Sequence, residues 1–405
     1  MPQAQPRTGR PKIAALATVC YQHSHAQHIL DRFLWGYGWG PRHHVPPMDL
    51  VSLYVDQPGD GAFSRERAAE FPLLKEYPSV REALTLGGDK LAVDGVLLIG
   101  EHGRYPFNQK GQKLYPRYEW FQEIVSVYRD SGRTAPVFND KHLSWNWEWA
   151  REMVDTAREM DFALMAGSSL PWVPRVPAVD LPLGAEVEEV MCVGEGRFDH
   201  IDFHSLETIQ CMVERRRGGE TGVVSVKAIR GKAILDAMNA GSWDAGGWDP
   251  QLFEACLCRS LTLASAREGF SHIYPEVEEI PESLTGVPFA YRIEYADGLK
   301  ATVLHLALLV GDTTFAARLK GRRDPLSTLI YTQPRTLCNF FSAQVNAIEK
   351  VFLTGKAPHP VERTLLTTGL TAAGVESLWR GQKRIETPHL DVRYQPPPQS
   401  LFRRT

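Results

Sequence analysis

The sequence predicts two domains in succession. The first is an α/β domain on a parallel sheet, and the second an α+β domain with a mostly antiparallel sheet. Two observations carry that reading. Up to about residue 170, short continuous apolar runs alternate with amphipathic stretches at helical spacing, the pattern of a parallel sheet with crossover helices. After the Pro-rich crossing "SSLPWVPRVPAVDLPLG" (168–184), the pattern changes to alternating strands with hairpin turns and to two glycine-stopped helices.

The elements follow in order. "KIAALATVC" (12–20) is apolar throughout after a basic start, as a strand buried on both faces should be. "HAQHILDRFLWGY" then places Ile29, Leu30, Phe33 and Leu34 on one side of a helix. "MDLVSLYVDQ" (48–57) is a second strand, ending in Asp56, and "SRERAAEF" is a helix with Ser64 as its cap. "SVREALTLGG" is a short helix, and "VDGVLLIG" (93–100) is a third buried strand. Helix "YEWFQEIVSVYRDSG", strand "APVFNDK", helix "WEWAREMVDTAREMD" and strand "FALMAGSS" complete the first domain. Beyond the crossing come strand "AEVEEVMCVG", helix "FHSLETIQCMVERR" and the block "AYRIEYADGLKATVLHLALLV" (290–310), where "ADG" turns a hairpin. "FAARL" is a further strand. "CNFFSAQVNAIEKVFLTG" and "VERTLLTTGLTAAGVESLWRG" are helices stopped by glycine. The expected divisions are a flexible segment 1–11, a domain 12–170, a connection 171–184, a domain 185–385 and an extended arm 386–405.

Composition narrows the function classes. A net charge of −3 gives no global attraction to nucleic acid or an acidic membrane surface. The basic runs "ERRRGG" (214–219) and "LKGRRDP" (319–325) lack interleaved aromatics and read as solvated turns. The six cysteines contain no CxxC pair, so buried, reduced thiols are expected, without a disulfide or zinc scaffold. No run is long enough for a membrane span and none has the form of a signal peptide. A cytoplasmic protein acting on a small molecule is expected, without nucleic-acid or membrane partners. The antiparallel sheet is expected to have an open face, and with it a homo-oligomer, a dimer or tetramer.

In an open parallel sheet, ligands collect at the carboxyl ends of the strands. Those ends carry Tyr21-Gln22-His23-Ser24-His25, then Asp56, then Glu101-His102-Gly103-Arg104-Tyr105, then Asn139-Asp140-Lys141-His142. Three of them bear histidine, a pattern that points to a functional cluster. In the second domain, a helix starting near Asp202 places His204, Glu207, Cys211 and Glu214 on one stripe, with His200 one turn earlier. A His and a Glu three apart on a helical face can share a divalent metal; a solvated stripe is the alternative.

With those residues in view, the chain resembles the Gfo/Idh/MocA family, of the glucose–fructose oxidoreductase and inositol dehydrogenase type. "VDGVLLIG" looks like the family's third-strand signature. Asp140-Lys141-His142 stands where the family has Glu-Lys-Pro, and "HIDFHSLE" stands at its Asp-x-x-x-His helix start, with His200 in place of the Asp and His204 matching the His. The resemblance implies a Rossmann-like first domain, NAD or NADP, and oxidation or reduction of a hydroxyl or carbonyl on a sugar, cyclitol or related small polar molecule in an inter-domain cleft. Lys141 and His204 take the proton-transfer and substrate-orienting roles, with Asp140, His142 and Tyr105 as further catalytic candidates. Asp56 matches the acidic residue that hydrogen-bonds the adenosine ribose; Ser24, His25 and Glu101 are the other candidate cofactor contacts. The departure is the loop "TVCYQHSHAQH", which contains none of the glycines that let a backbone approach pyrophosphate.

That departure keeps two other readings open. In one, His25, His102, His204 and Glu207 hold a divalent metal such as Zn, Mn or Fe for a lyase, hydrolase or epimerase reaction. In the other, the chain is a non-catalytic binding or scaffold subunit.

Overall fold

The computed structural model describes residues 9–59, 63–196, 201–264, 288–306, 309–332 and 339–404. His200 and Cys338 lie outside the described residues, as do residues 307 and 308 of the alternating block. The chain divides into two units. Unit one is Met1–Pro106, Leu114–Gly167 and Pro334–Val361, and unit two is Phe107–Lys113, Ser168–Gln333 and Glu362–Thr405.

Unit one is built on six parallel strands: β1 (Lys12–Ala17), β2 (Asp49–Val55), β3 (Lys75–Glu76), β4 (Gly95–Ile99), β5 (Val137–Asp140) and β6 (Leu164–Gly167). Their order across the sheet is β3-β2-β1-β4-β5-β6. The direction of winding reverses between β1 and β4, the point where doubly wound sheets open a binding crevice. The strands Ile13–Ala17 and Val96–Ile99 are fully buried, as their unbroken apolar runs require.

Five helices connect these strands: α1 (His25–Leu34), α2 (Phe63–Glu70), α3 (Val80–Thr85), α4 (Arg117–Ser131) and α5 (Trp147–Glu159). Ser24 caps α1, Ser79 caps α3 and Asn146 caps α5, each accepting a backbone N–H of the first turn. Ser64 does not cap α2: the helix begins at Phe63, whose N–H reaches the Cys20 carbonyl, and Ser64 is buried inside the first turn.

Unit two holds an eight-stranded mixed sheet: β7 (Arg175–Val176), β8 (Val187–Gly194), β9 (Val223–Arg230), β10 (Phe289–Tyr295), β11 (Lys300–His305), β12 (Thr313–Leu319), β13 (Leu326–Ile330) and β14 (Ile385–Glu386). The order is β14-β9-β10-β11-β8-β12-β13-β7. The β8–β11 pair is parallel and the other pairs are antiparallel. Its helices are α6 (Asp202–Val213), α7 (Lys232–Ala240), α8 (Pro250–Arg259) and α10 (Glu362–Trp379). Helix α9 (Phe340–Thr354) precedes α10 in the chain.

Two expectations change here. The sequence reading assigns α9 to the second domain, but it belongs to unit one. The reason is local packing: Phe341 lies against the rings of His25 and His28, Ser342 accepts from Arg32, and Phe352 covers Gly95, where a Cβ would stand only 2.8 Å from the ring. The face expected to be open is covered over part of its area, with Glu189, Arg292, Lys300 and Arg318 half-buried on it. Met191, Val193, Ala290 and Leu304 pack under Ile234, Leu252, Phe253 and Cys256 of α7 and α8. Alternate residues turn the other way, where Ser377 of α10 bonds the backbone of Ala228 and Asp202 of α6 accepts from Tyr291.

Of the five described cysteines, Cys20, Cys192, Cys211 and Cys256 are buried thiols and Cys258 is an exposed one. Among the described residues no helix is long and apolar enough to cross a membrane.

Candidate functional site

The carboxyl ends of β1, β4 and β5 bring a buried polar cluster together in unit one. Glu101, two residues past β4, is 2% exposed. One of its carboxylate oxygens accepts from Arg117 Nη2 at 2.8 Å, and the other lies 3.1 Å from Lys141 Nζ. Arg117, 1% exposed, also donates from Nη1 to His142 Nε2 at 2.9 Å, which leaves His142 as the neutral acceptor. Asp140, the last residue of β5, is buried and accepts from His25 Nδ1 at 2.7 Å. The His25 ring in turn lies edge-on to His102, with centroids 5.4 Å apart. Asn139 closes the turn after β5, its amide reaching the carbonyls of Asp140, Lys141 and His142.

The backbone at these ends is unusual. His23 (φ 65°), His102 (φ 69°) and Lys141 (φ 64°) adopt the left-handed conformation, one after each of the three strands. Residues with a Cβ take that conformation at a cost of about 1–2 kcal/mol. Such outliers gather at functional sites because the surroundings must hold them there. For Lys141 the hold is visible: its N–H donates to Gly167 and its carbonyl accepts from Asn139.

Asp56 and Tyr105 form a neighbouring group. Both oxygens of the exposed Asp56 carboxylate are engaged by phenols, from Tyr54 at 2.9 Å and Tyr105 at 2.6 Å. Burial, then the bond to Asp56, raises the Tyr105 pKa, so its hydroxyl is a fixed donor. The Tyr105 ring packs on Tyr115, and Arg117 lies over the Tyr115 ring, which joins this group to the Glu101 cluster.

The cofactor implied by the resemblance can be tested against this loop. Ser24 is committed to the helix: its oxygen accepts from Gln27 N and Tyr21 N, each at 3.2 Å. The α1 N-terminus carries no acidic residue in its first turn, which suits an anion. The close helix–strand packing that a glycine would permit is supplied by Ala14, Ala15, Ala17 and Ala26, all buried. The left-handed turn is supplied by His23. Tyr21, Gln22 and His23 stand exposed where a glycine loop would be bare. The donor set and Asp56 thus fit a phosphate-bearing dinucleotide, and the three exposed side chains are what such a ligand meets.

The metal reading fails on placement. Among the described residues, no group of three or more His, Cys, Asp or Glu side chains is arranged to hold one ion. In unit one, His25 is bonded to Asp140, and Lys141 and Arg117 already neutralise Glu101, so a dication would meet two cations beside its nearest carboxylate. In unit two, His204 Nδ1 pairs with the Ser168 hydroxyl at 2.5 Å. Glu207 is bonded to Thr367 and to the Ser168 N–H, and burial raises its pKa while Arg363 opposes the rise.

The rest of the α6 stripe is also structural. Glu214 pairs bidentately with Arg363 and accepts from Tyr394 at 2.9 Å. Burial pushes the Cys211 thiol up to about 12, so it stays protonated. The run "ERRRGG" is not a solvated turn: Arg215 and Arg216 are buried, Arg216 between Glu220 and Asp297. Glu220 lies only four residues on, but Asp297 is distant in sequence, which hid that half of the pairing.

Sequence reasoning missed two residues. Arg117 opens α4, where the helix dipole disfavours a cation, and that placement was a readable sign of a buried acidic partner. Ser168 carried no such sign.

Three known structures share this fold. GenD2 from gentamicin A biosynthesis, in complex with NAD, is 13% identical with a TM-score of 0.58, covering 95% of this chain and 99% of that one. A myo-inositol dehydrogenase from Lactobacillus casei, in complex with NAD(H) and myo-inositol, is 10% identical with a TM-score of 0.57, covering 93% and 96%. A Gfo/Idh/MocA family oxidoreductase from Vibrio cholerae is 12% identical with a TM-score of 0.52, covering 92% and 99%. No family model and no curated protein matches the sequence. The architecture is that of a Rossmann-like unit joined to an α+β unit with a mixed sheet. It is the fold of the Gfo/Idh/MocA oxidoreductases.

Proposed function

We propose that this chain is an oxidoreductase of the Gfo/Idh/MocA type, working with NAD or NADP on a hydroxyl or carbonyl of a sugar, cyclitol or related small polar molecule. The observation that carries the reading is Lys141, buried and left-handed at the end of β5, with its ammonium against Glu101. A lysine held this way presents its Nζ from a fixed position, as proton transfer to or from a substrate oxygen requires. Glu101 orients the ammonium, and Arg117 shares that carboxylate so that Lys141 is not its sole counter-ion. His25 and Asp140 fix the floor beside it. Asp56 is the acceptor for the ribose hydroxyls of the cofactor, and the α1 N-terminus faces its phosphates. The nicotinamide, when bound, supplies or accepts the hydride.

Fluorescence titration with NADH and NADPH, followed by turnover against a panel of sugars and cyclitols, tests this. Cofactor binding is expected in the wild type and in Lys141→Met, with turnover lost in the variant. Asp56→Ala is expected to weaken NADH binding roughly ten- to hundredfold, the worth of a hydrogen bond to a charged acceptor. No binding of either nucleotide by the wild type sinks the proposal and favours a non-catalytic role.

A further inference from the structure

In unit two, three arginines meet at a small cavity that the C-terminal arm helps to line. Arg175 of β7, Arg215 just past α6 and Arg363 in the first turn of α10 stand around it, with Asp180, Glu214 and Cys211. Pro397 and Leu401 of the arm complete the wall. The cavity leaves about 10 Å³ to the centre of a water-sized guest, roughly the room that a single atom needs. Phosphate, sulfate and carboxylates are too large for it.

Most bonds of this cluster are closed. Asp180 Oδ1 accepts from Arg175 Nη1 at 2.9 Å, and Oδ2 faces Ser400 and Arg215. Glu214 meets Arg363 through both oxygens and accepts from Tyr394. The Cys211 S–H donates to the Thr208 carbonyl. Two N–H groups remain. Arg175 is 4% exposed and Arg363 2%, yet Arg175 Nε and Arg363 Nη1 have no hydrogen-bond partner among the described residues. A buried donor on a charged group is costly to leave unmade. The lining carries three cations, Arg175, Arg215 and Arg363, against two carboxylates, Asp180 and Glu214. The carboxyl end of α6 and the amino end of α10 add partial charges of opposite sign, which offset each other. Glu207, the other acid facing Arg363, bonds Ser168 and Thr367 instead. The group that completes this lining is a single-atom acceptor with a negative charge. Water would accept from both N–H groups, but it brings no charge, and its own hydrogens would meet carboxylates already engaged.

We propose that this cavity is a halide site, in which a chloride ion accepts from Arg175 Nε and Arg363 Nη1 and balances the third arginine. Charge-assisted bonds of this kind are the strong ones. The ion ties β7 to α10. Arg215, whose Nη1 donates to the Pro397 carbonyl, links the same cluster to the C-terminal arm. The site uses no group of unit one and stands whether or not the chain is an oxidoreductase.

The test uses the full chain exchanged into sodium gluconate. Thermal unfolding is followed as chloride replaces gluconate at constant ionic strength, and crystals grown in bromide are searched for anomalous scattering at the cavity. A saturable rise in Tm is expected, of roughly 5–10 °C once chloride stands about a hundredfold above half-saturation. A bromide peak is expected within hydrogen-bond reach of both N–H groups. Arg175→Lys and Arg363→Lys keep a cation beside each acid and remove the spare N–H, so each is expected to weaken the chloride effect by roughly tenfold or more. A Tm indifferent to the anion overturns the proposal. So does a wild-type crystal with no bromide in the cavity, which makes a water the occupant. A rise that never saturates and that both lysine variants share marks an adventitious ion only, and overturns it too. Should neither variant fold, ³⁵Cl line broadening by the wild type decides: broadening that bromide reverses supports the site, and its absence overturns it.

Discussion

Arg117→Met is the sharpest probe of the cluster in unit one. The guanidinium is 1% exposed and makes two bonds, to Glu101 at 2.8 Å and to His142 at 2.9 Å. Methionine keeps much of the buried alkyl stem and removes the charge. Removing one partner of a buried pair costs about 3–5 kcal/mol, because the other charge is left desolvated. Here Lys141 stays 3.1 Å from Glu101, so the lower end, about 3 kcal/mol, is expected. For a unit of this size that corresponds to a fall of roughly 6–12 °C in Tm. Glu101→Gln alone leaves Arg117 and Lys141 facing each other without an acid and is expected to cost about as much. The double variant removes both ends of the pair, and its loss should fall short of the sum by about 1–3 kcal/mol. Scanning calorimetry on the four proteins reads all three quantities. A single variant within 2 °C of wild type, or losses that simply add, would refute the idea that Glu101 and Arg117 act as one buried unit.

Two further outcomes follow from the packing. At Gly374 in α10, a Cβ would come within 2.2 Å of the Tyr291 ring, whose hydroxyl is tied to Asp202. Gly374→Ala is therefore expected to lose about 1–3 kcal/mol by overpacking despite the helix propensity it gains, and unchanged or raised thermal stability would show the contact to be slack. His28 is pushed down to about 3, first by burial and then by Arg32, so the folded state holds it neutral. The unfolded chain takes up that proton below pH 6.5, so this group's contribution is intact above pH 6.5 and is lost as the pH falls toward 3. The slope is at most about 1.4 kcal/mol per pH unit, and residual solvent contact of the ring brings it lower. His28→Leu should gain stability on wild type as the pH drops from 6.5 to 4 in urea titrations; a constant difference across that range counts against the burial argument.

Much of unit one was legible because a fully buried parallel strand has only one way to read: Ile13–Ala17 and Val96–Ile99 are apolar at every position and are buried at every position. The strand-end groups followed, since topology alone sends Glu101, Lys141 and Asp140 to one edge. What stayed hidden depends on pairing across long stretches of chain. Arg216 reads as a surface charge until Asp297 is placed beside it, and Glu214 as one more member of a polar helical stripe until Arg363 meets it. Helix α9 has the apolar periodicity of any packed helix, and nothing local says that its Phe341 rests on His25 rather than on the sheet that precedes it. The metal reading arose the same way, from residue types counted without the cations between them.

The glycine-free loop takes on a different meaning once the backbone is seen. A fingerprint glycine serves by conformation, by small size and by leaving the amides bare. In this chain the conformation survives at His23 and the small contacts survive at the alanines of β1 and α1, while the bareness is given up to Tyr21, Gln22 and His23. The same substitution of a side chain into a left-handed position recurs at His102 and Lys141, so it is a property of the strand ends and not of one loop. If the left-handed turn at His23 is held only by its surroundings, His23→Gly should stabilise unit one by about 1 kcal/mol or more, because the strain of a Cβ at positive φ disappears. If the side chain instead serves a bound nucleotide, the same change should raise stability and weaken NADH binding together. Stability and affinity moving in opposite directions is the signature of strain retained for a ligand, and a gain in stability with unaltered binding would assign His23 to the scaffold alone.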